Sequence, residues 1–347
     1  MRIDVVGMIA TRLASESLAP EGPVVDVAFT RAFARAHEEA GFDRVLIGAY
    51  SDGPDGVVVA ADVLAHTERL GVLLAHRPGF VTPTVFARQL ATLDRFGGGR
   101  VSLHVVTGGS DVDLARDGDA LDHDARYRRT DEYLTLLRRV WTEEGPIDHA
   151  GEHYRVAGAR SQVRPLQRPH PPISFGGSSD AAIEVAARHA DVYALWGEPL
   201  ADAAAHVQRV LAAAARHGRR PRISMSFRPI LADTEEAAWA RARAILESVQ
   251  ERGRTAEPKP QAVGSARLLA AAARGDVVDE RLYTAIAAAT GAYGNTTALV
   301  GTPEQVAASL LRYVDVGVSA FVIRGFDPLR DAIAYGELVR LVRAARS

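Results

Sequence analysis

Short runs of apolar, mostly β-branched residues alternate along this chain with stretches whose apolar positions recur at i, i+3 and i+4. The runs are continuous rather than alternating, the pattern of strands covered on both faces. They predict strands over Ile3–Ile9, Asp43–Gly48, Leu70–Ala75, Arg100–Val106, Ile173–Phe175, Val192–Leu195, Arg222–Leu231, Ala298–Val300 and Ala320–Ile323. The helical stretches are Val27–Ala40, Gly56–Thr67, Pro83–Phe96, Arg126–Thr142, Asp180–His189, Leu200–His217, Thr234–Gln250, Pro303–Val314 and Leu329–Ala344. Gly41 suits the end of the first helix and Thr234 the N-cap of a later one. An extended hairpin is expected over Pro146–Ala157.

This β-α alternation, nine strand runs each followed by a helical stretch, is read as the eight strand-helix units of a barrel plus insertions, which predicts an α/β chain forming a (β/α)8 TIM barrel. Such a barrel takes about 250 residues before insertions. The surplus falls near 108–159 and 251–297, within one domain spanning 1–347. The second insertion holds Pro258, Pro260 and several glycines, and is expected to be mobile. An open doubly wound sheet is the competing arrangement, but no GxGxxG follows the first strand.

Composition narrows the function classes. Of 347 residues 47% are hydrophobic and 24% charged, which excludes collagenous, mucin-like and wholly disordered chains. The net charge of -2 argues against nucleic acid as a partner, because phosphate binding calls for a basic excess. There is no cysteine, so disulfides, thiolate nucleophiles and cysteine-based metal sites are excluded. The apolar stretch Ile3 to Ala10 is interrupted by Asp4 and is too short to span a membrane. A cytoplasmic enzyme without membrane association is expected. Lys259 is the only lysine among 41 basic residues. A GC-rich coding sequence accounts for that bias, with anion clamping by arginine as the functional alternative.

In a barrel the reactive groups sit where strands end. Those positions hold Thr11 and Arg12, Tyr50 and Ser51, His76 and Arg77, Thr107 and Gly108, Gly176 to Ser179, Trp196, Arg228 and Arg324. Gly176-Gly177-Ser178-Ser179-Asp180 lies between a strand and a helix. Glycines, free N–H groups and hydroxyls there favour an anion such as phosphate; an N-capped turn is the plain alternative. His123 and Tyr127, four apart, fall on one helix face. They suit a cofactor wall or phosphate donors, or else belong to a capping segment with Asp124 as N-cap. Trp196 either stacks on a flat ring or fills the core. Arg77 and Arg228 need an anionic partner if buried, either a ligand or a protein carboxylate. No HExxH, GxSxG or GxxxxGK[ST] motif occurs and no spacing marks a metal site. Chemistry is therefore expected from a bound organic cofactor.

Several blocks carry a family resemblance: Ala87 to Arg95 (ARQLATLDR), Val105-Val106-Thr107-Gly108, Leu121-Asp122-His123-Asp124 with Arg126-Tyr127, Pro171 to Ala182 (PPISFGGSSDAA), Trp196-Gly197-Glu198-Pro199 and Thr297 to Gly301. In that order they resemble the bacterial luciferase-like flavin-dependent monooxygenases, and within them the alkanesulfonate monooxygenases. The resemblance implies a luciferase-like TIM barrel, reduced FMN (FMNH2) from a separate NAD(P)H-dependent flavin reductase, and O2 as co-substrate. It implies C–S cleavage of an organosulfonate to aldehyde and sulfite, and a homodimer or homotetramer. It places Gly177 and Ser178 at the FMN phosphate with Tyr127 assisting, and Thr107, His123 and Arg77 near the flavin or ribityl chain. Trp196 walls the pocket. The substrate side departs from the alkanesulfonate pattern at Ser226-Phe227-Arg228, Arg12, Gly53, Phe326 and Ala292-Tyr293-Gly294. Arg228, with Arg12, is assigned to hold a small anionic substrate, and His76 and Trp196 complete the catalytic candidates. Two rival readings remain: a luciferase-like flavin or deazaflavin oxidoreductase on another small substrate, and a non-catalytic flavin-binding protein.

Overall fold

Apolar runs that must be covered on both faces close on themselves here. The computed structural model describes residues 2–253 and 262–345. Its core is a ring of parallel strands: β1 (Asp4–Met8), β2 (Arg44–Ile47), β3 (Gly71–His76), β4 (Val101–Val105), β5 (Ile173–Gly176), β6 (Val192–Trp196), β7 (Arg222–Leu231) and β8 (Val318–Ile323). Each pairs with the next, and β8 pairs with β1 to complete the barrel. The expected (β/α)8 TIM barrel is present. Its helices pack on the outer face, where Trp141, Tyr133, Phe86, Phe175, Phe321 and Tyr335 are fully buried. Burying each such side chain stabilises the fold by about 1.5–3 kcal/mol.

Local sequence starts the helices. Asp26, Asp55, Ser179, Thr234 and Thr302 each accept a backbone N–H at a helix N-terminus, a contribution of about 1 kcal/mol per cap. The helix expected from Arg126 begins earlier and runs His123–Thr142. Its cap is Asp122 rather than Asp124, and it accepts the Ala125 N–H at 2.8 Å.

One strand is longer than the barrel needs. Arg222 to Phe227 of β7 lie between β6 and β8. Arg228 to Leu231 continue past the barrel and pair in parallel with Ala298–Gly301. Ala298–Gly301 reads in sequence as one of the alternating strands, yet it is no stave of the barrel. Helix Glu235–Glu251 covers this extension through Ala238, Ala242, Ile245 and Val249, against Ile230, Val300 and Phe326. The described part of the second insertion is built from helices Val263–Ala272 and Ala285–Thr290 and an antiparallel pair, Val277–Val278 with Leu282–Tyr283. Residues 254–261 of the segment expected to be mobile lie outside the described residues. The first insertion supplies helix Asp111–Arg116 and the expected hairpin, Ile147–Ala150 with Arg155–Ala159. Among the described residues no helix is long and apolar enough to cross a membrane.

Two histidines are packed into this core. His37 lies between Phe33 and Phe42, and burial, partly offset by the Phe33 carbonyl, pushes its imidazole down to about 4. Burial, with the neighbouring Arg77 charge, pushes His76 down to about 3. The unfolded chain takes up these protons near pH 6.5 and the folded chain does not. Their neutral-form stability is therefore full above about pH 6.5 and is lost as pH falls toward the folded values, by about 1.4 kcal/mol per pH unit for each histidine. Urea midpoints measured from pH 7.5 to pH 5 are expected to fall steadily, with a shallower slope for His37→Gln. An identical slope in the variant would contradict this account.

Candidate functional site

Alternation along a strand decides which side chains enter the barrel. Leu46, Leu73, His104, Ser174, Ala194, Trp196, Ser224, Ser226 and Val322 point inward near the C-terminal strand ends and line a cavity of about 480 Å³. The segment after β4, the start of helix His123–Thr142, the turn after β5 and residues 262–264 complete its wall.

The turn after β5 forms a cradle. Gly177 has φ +136°, a conformation that side chains rarely adopt. A Cβ there would stand 2.7 Å from the Ala182 Cβ and 3.1 Å from the Tyr127 hydroxyl. Only glycine lets the backbone lie this close. Ser179 caps helix Asp180–His189, whose first N–H groups face the turn with the positive end of the helix dipole. Tyr193 donates from behind to the Gly177 carbonyl. Burial raises the Tyr127 phenol, opposed by its Ser179 hydrogen bond and the Arg126 charge, so it remains a proton donor. Arg126 lines the same end. It donates to the Leu121 carbonyl at 2.6 Å and to Asp111 at 2.8 Å, and its Nε–H is buried without a partner. Together the glycine turn, the helix N-terminus and the Tyr127 hydroxyl gather hydrogen-bond donors on one part of the cavity wall.

Of the residues singled out in the sequence, the structure brings Thr107, His123, Tyr127, Gly177, Ser178 and Trp196 to the cavity wall. His123 and Tyr127 share a face, with ring centroids 4.9 Å apart. Trp196 lies under the insertion: a Cβ on Gly264 would be 3.0 Å from its ring. The helix beginning there is tied down by Arg267, which forms an ion pair with the buried Glu198.

Four candidates are placed elsewhere. Arg77 donates to Asp113 at 2.7 Å and to Asp117 at 2.6 Å. These contacts tie it to helix Asp111–Arg116 and the residue that follows it. His76 points away from the cavity, onto the Tyr133 hydroxyl at 2.7 Å and the Phe86 ring at 3.5 Å. Arg228 is 0% exposed and is held by Glu16 at 3.0 Å and by the carbonyls of Arg324 and Gly325 at 3.1 and 2.8 Å. Arg12 lies on the loop after β1 and is not among the cavity-lining residues. For Arg77 and Arg228 the protein-carboxylate alternative describes what the structure shows.

His104, Ser174, Ser224, Asp111 and Arg126 also line the cavity, although the sequence assigned none of them a role. His104 carries a readable signal: it is a polar residue in an apolar strand, two positions before Val106 and so on the same face.

Comparison with known proteins agrees with the barrel fold. A family model described as luciferase-like monooxygenase matches residues 3–320. The fold is similar to that of a riboflavin lyase solved with modified FMN and riboflavin, with a TM-score of 0.82 and 21% identity, covering 100% of this chain and 92% of that one. EDTA monooxygenase from Chelativorans sp. BNC1 gives 0.79 and 21% over 99% and 94%. An F420-dependent secondary alcohol dehydrogenase gives 0.73 and 15% over 99% and 100%. At such identities these likenesses show the fold alone. The match to the family model spans almost the whole chain, and the chain belongs to the luciferase-like monooxygenase family.

Proposed function

We propose that this protein is a cytoplasmic two-component monooxygenase that binds FMNH2, supplied by a separate NAD(P)H-dependent flavin reductase, and uses O2 to oxygenate a small organic substrate. The observation that carries this reading is the anion cradle at one end of a largely apolar barrel cavity. The residues fit FMN: Gly177 leaves the space a Cβ would fill, and the buried Arg126 Nε–H lacks a partner. When bound, reduced flavin supplies the electrons that activate O2.

The chain's own residues bind, orient and exclude water. The N–H groups of Gly177 and Ser178 and the Tyr127 hydroxyl would hold the phosphate, with Arg126 adding charge. Leu46, Leu73, Val106, Ala194 and Val322 leave the inner cavity little to offer water. Trp196, covered by the start of helix Val263–Ala272, shields the other wall.

The resemblance to alkanesulfonate enzymes would make the substrate an organosulfonate. That substrate needs a cation for its head group, and Arg228, the residue assigned to it, is buried and bound to Glu16 and two carbonyls. FMN and oxygen chemistry are therefore the supported part of the reading.

The deciding experiment mixes the protein with FMN, a flavin reductase, NADH and a substrate panel, and follows substrate-dependent O2 uptake. Tight binding of reduced F420 with no binding of FMN would overturn the proposal. FMN binding without substrate-dependent oxygen uptake would reduce the protein to a flavin binder. Arg126→Met is expected to weaken FMN about tenfold or more, the value of one charge-assisted hydrogen bond, while leaving riboflavin, which lacks the phosphate, within about twofold. Fluorescence titration of both ligands checks this. Gly177→Val is expected to abolish FMN binding and to cost about 1–3 kcal/mol of stability, read by urea denaturation.

A further inference from the structure

Two features of the cavity are not used by the phosphate cradle. The first is a trio of charges just beyond the cavity-lining strand positions. Arg228 lies two residues beyond the cavity residue Ser226 on β7, and Arg324 two residues beyond Val322, just past the end of β8. Left free, both would present positive charge to a ligand. Instead Glu16, on the loop after β1, accepts from Arg228 at 3.0 Å and from Arg324 at 2.5 Å. Burial alone would raise the Glu16 carboxyl, but the two arginines hold it down at about 2, so it is ionised. The Phe326 ring lies 3.7 Å from the Arg228 guanidinium on one side. Arg324 turns toward the Met8 sulfur at 3.5 Å, and neither arginine lines the 480 Å³ cavity. Among the described residues the arginine that does line it, Arg126, belongs to the cradle and is paired with Asp111.

The second feature is His104. Its ring lies beside Gly176, whose added Cβ would be 3.5 Å from the imidazole. The Nδ1 is enclosed with no hydrogen-bond partner. Burial pushes the imidazole down to about 4, so it is neutral at pH 7. Ser174 is its register partner on β5, and both line the cavity. The walls contributed by β2, β3 and β8 are apolar, with Leu46, Leu73 and Val322.

We propose that this cavity receives an uncharged, mainly apolar substrate whose hydrogen-bonding heteroatom is held by His104, while Glu16 restrains the arginines that would otherwise draw in an anion. A neutral imidazole can donate to a carbonyl, ether or sulfone oxygen or accept from a hydroxyl. It offers no charge to a sulfonate or carboxylate, and an anion moved out of water without a counter-charge binds poorly. The inference rests on the flavin-monooxygenase reading of the same cavity and names its substrate class.

The test uses two probes of equal chain length, pentane-1-sulfonate and pentyl methyl sulfone, titrated into the wild-type protein with FMN bound and followed by flavin absorbance. The sulfone is expected to bind about tenfold or more tightly than the sulfonate. His104→Phe is expected to weaken the sulfone about tenfold while leaving FMN within about twofold. Glu16→Gln is expected to raise sulfonate affinity and so narrow the ratio. Equal or tighter sulfonate binding by the wild type overturns the proposal, as does an absence of sulfone binding. So does a His104→Phe protein that loses FMN affinity with the sulfone unaffected. A wild type that fails to bind FMN would sink the flavin reading separately. The same probe pair, read by thermal shift on the protein alone, would still decide the charge claim.

Discussion

A buried charge must be paired, and that constraint shapes the open end of this barrel. Arg77, Arg228 and Arg267 each stand at or over a strand end, and each is held by a carboxylate from a distant segment: Asp113, Glu16 and Glu198. Removing one partner of such a pair costs about 3–5 kcal/mol, because the other charge is left uncompensated. The pairs fix three coverings onto the strand ends. Asp113 and Asp117 on Arg77 bring helix Asp111–Arg116 to the cavity. Glu16 docks the loop after β1 onto β7 and β8. Arg267 on Glu198 draws the start of helix Val263–Ala272 over Trp196.

With those cations engaged, the cavity is left with two kinds of polarity, set apart from each other. One end is electropositive without relying on free side-chain charge: a helix N-terminus, a glycine turn, a tyrosine hydroxyl and an arginine balanced by Asp111. Among the described residues the interior is apolar apart from a neutral imidazole and hydroxyl groups. A phosphorylated cofactor and a small neutral substrate would sort between two such ends without competing. Water exclusion also follows, since the inner wall has few groups able to retain it.

The barrel was legible because its strands are continuous apolar runs and its helices carry their own caps. The cradle was legible too, since Gly177, Ser178 and Ser179 are adjacent in sequence. What local pattern does not record is long-range partnership. Glu16 lies 212 residues from Arg228, and nothing near either residue marks the pair. The same holds for His76, whose position at a strand end did not reveal that it turns toward Tyr133. Ala298–Gly301 has the composition of a stave, but the length of β7 beyond the barrel rim gives it a different edge to join. His104 was readable from alternation alone, as a polar residue on the inward face of an apolar strand.

The most direct test is a crystal structure of the protein grown with FMN. The account predicts the phosphate against Gly177 and Ser178 with Tyr127 and Arg126 in contact, the ring inside the barrel, and Arg228 still bound to Glu16. A flavin phosphate bound elsewhere, or an Arg228 side chain turned into the cavity, would contradict it.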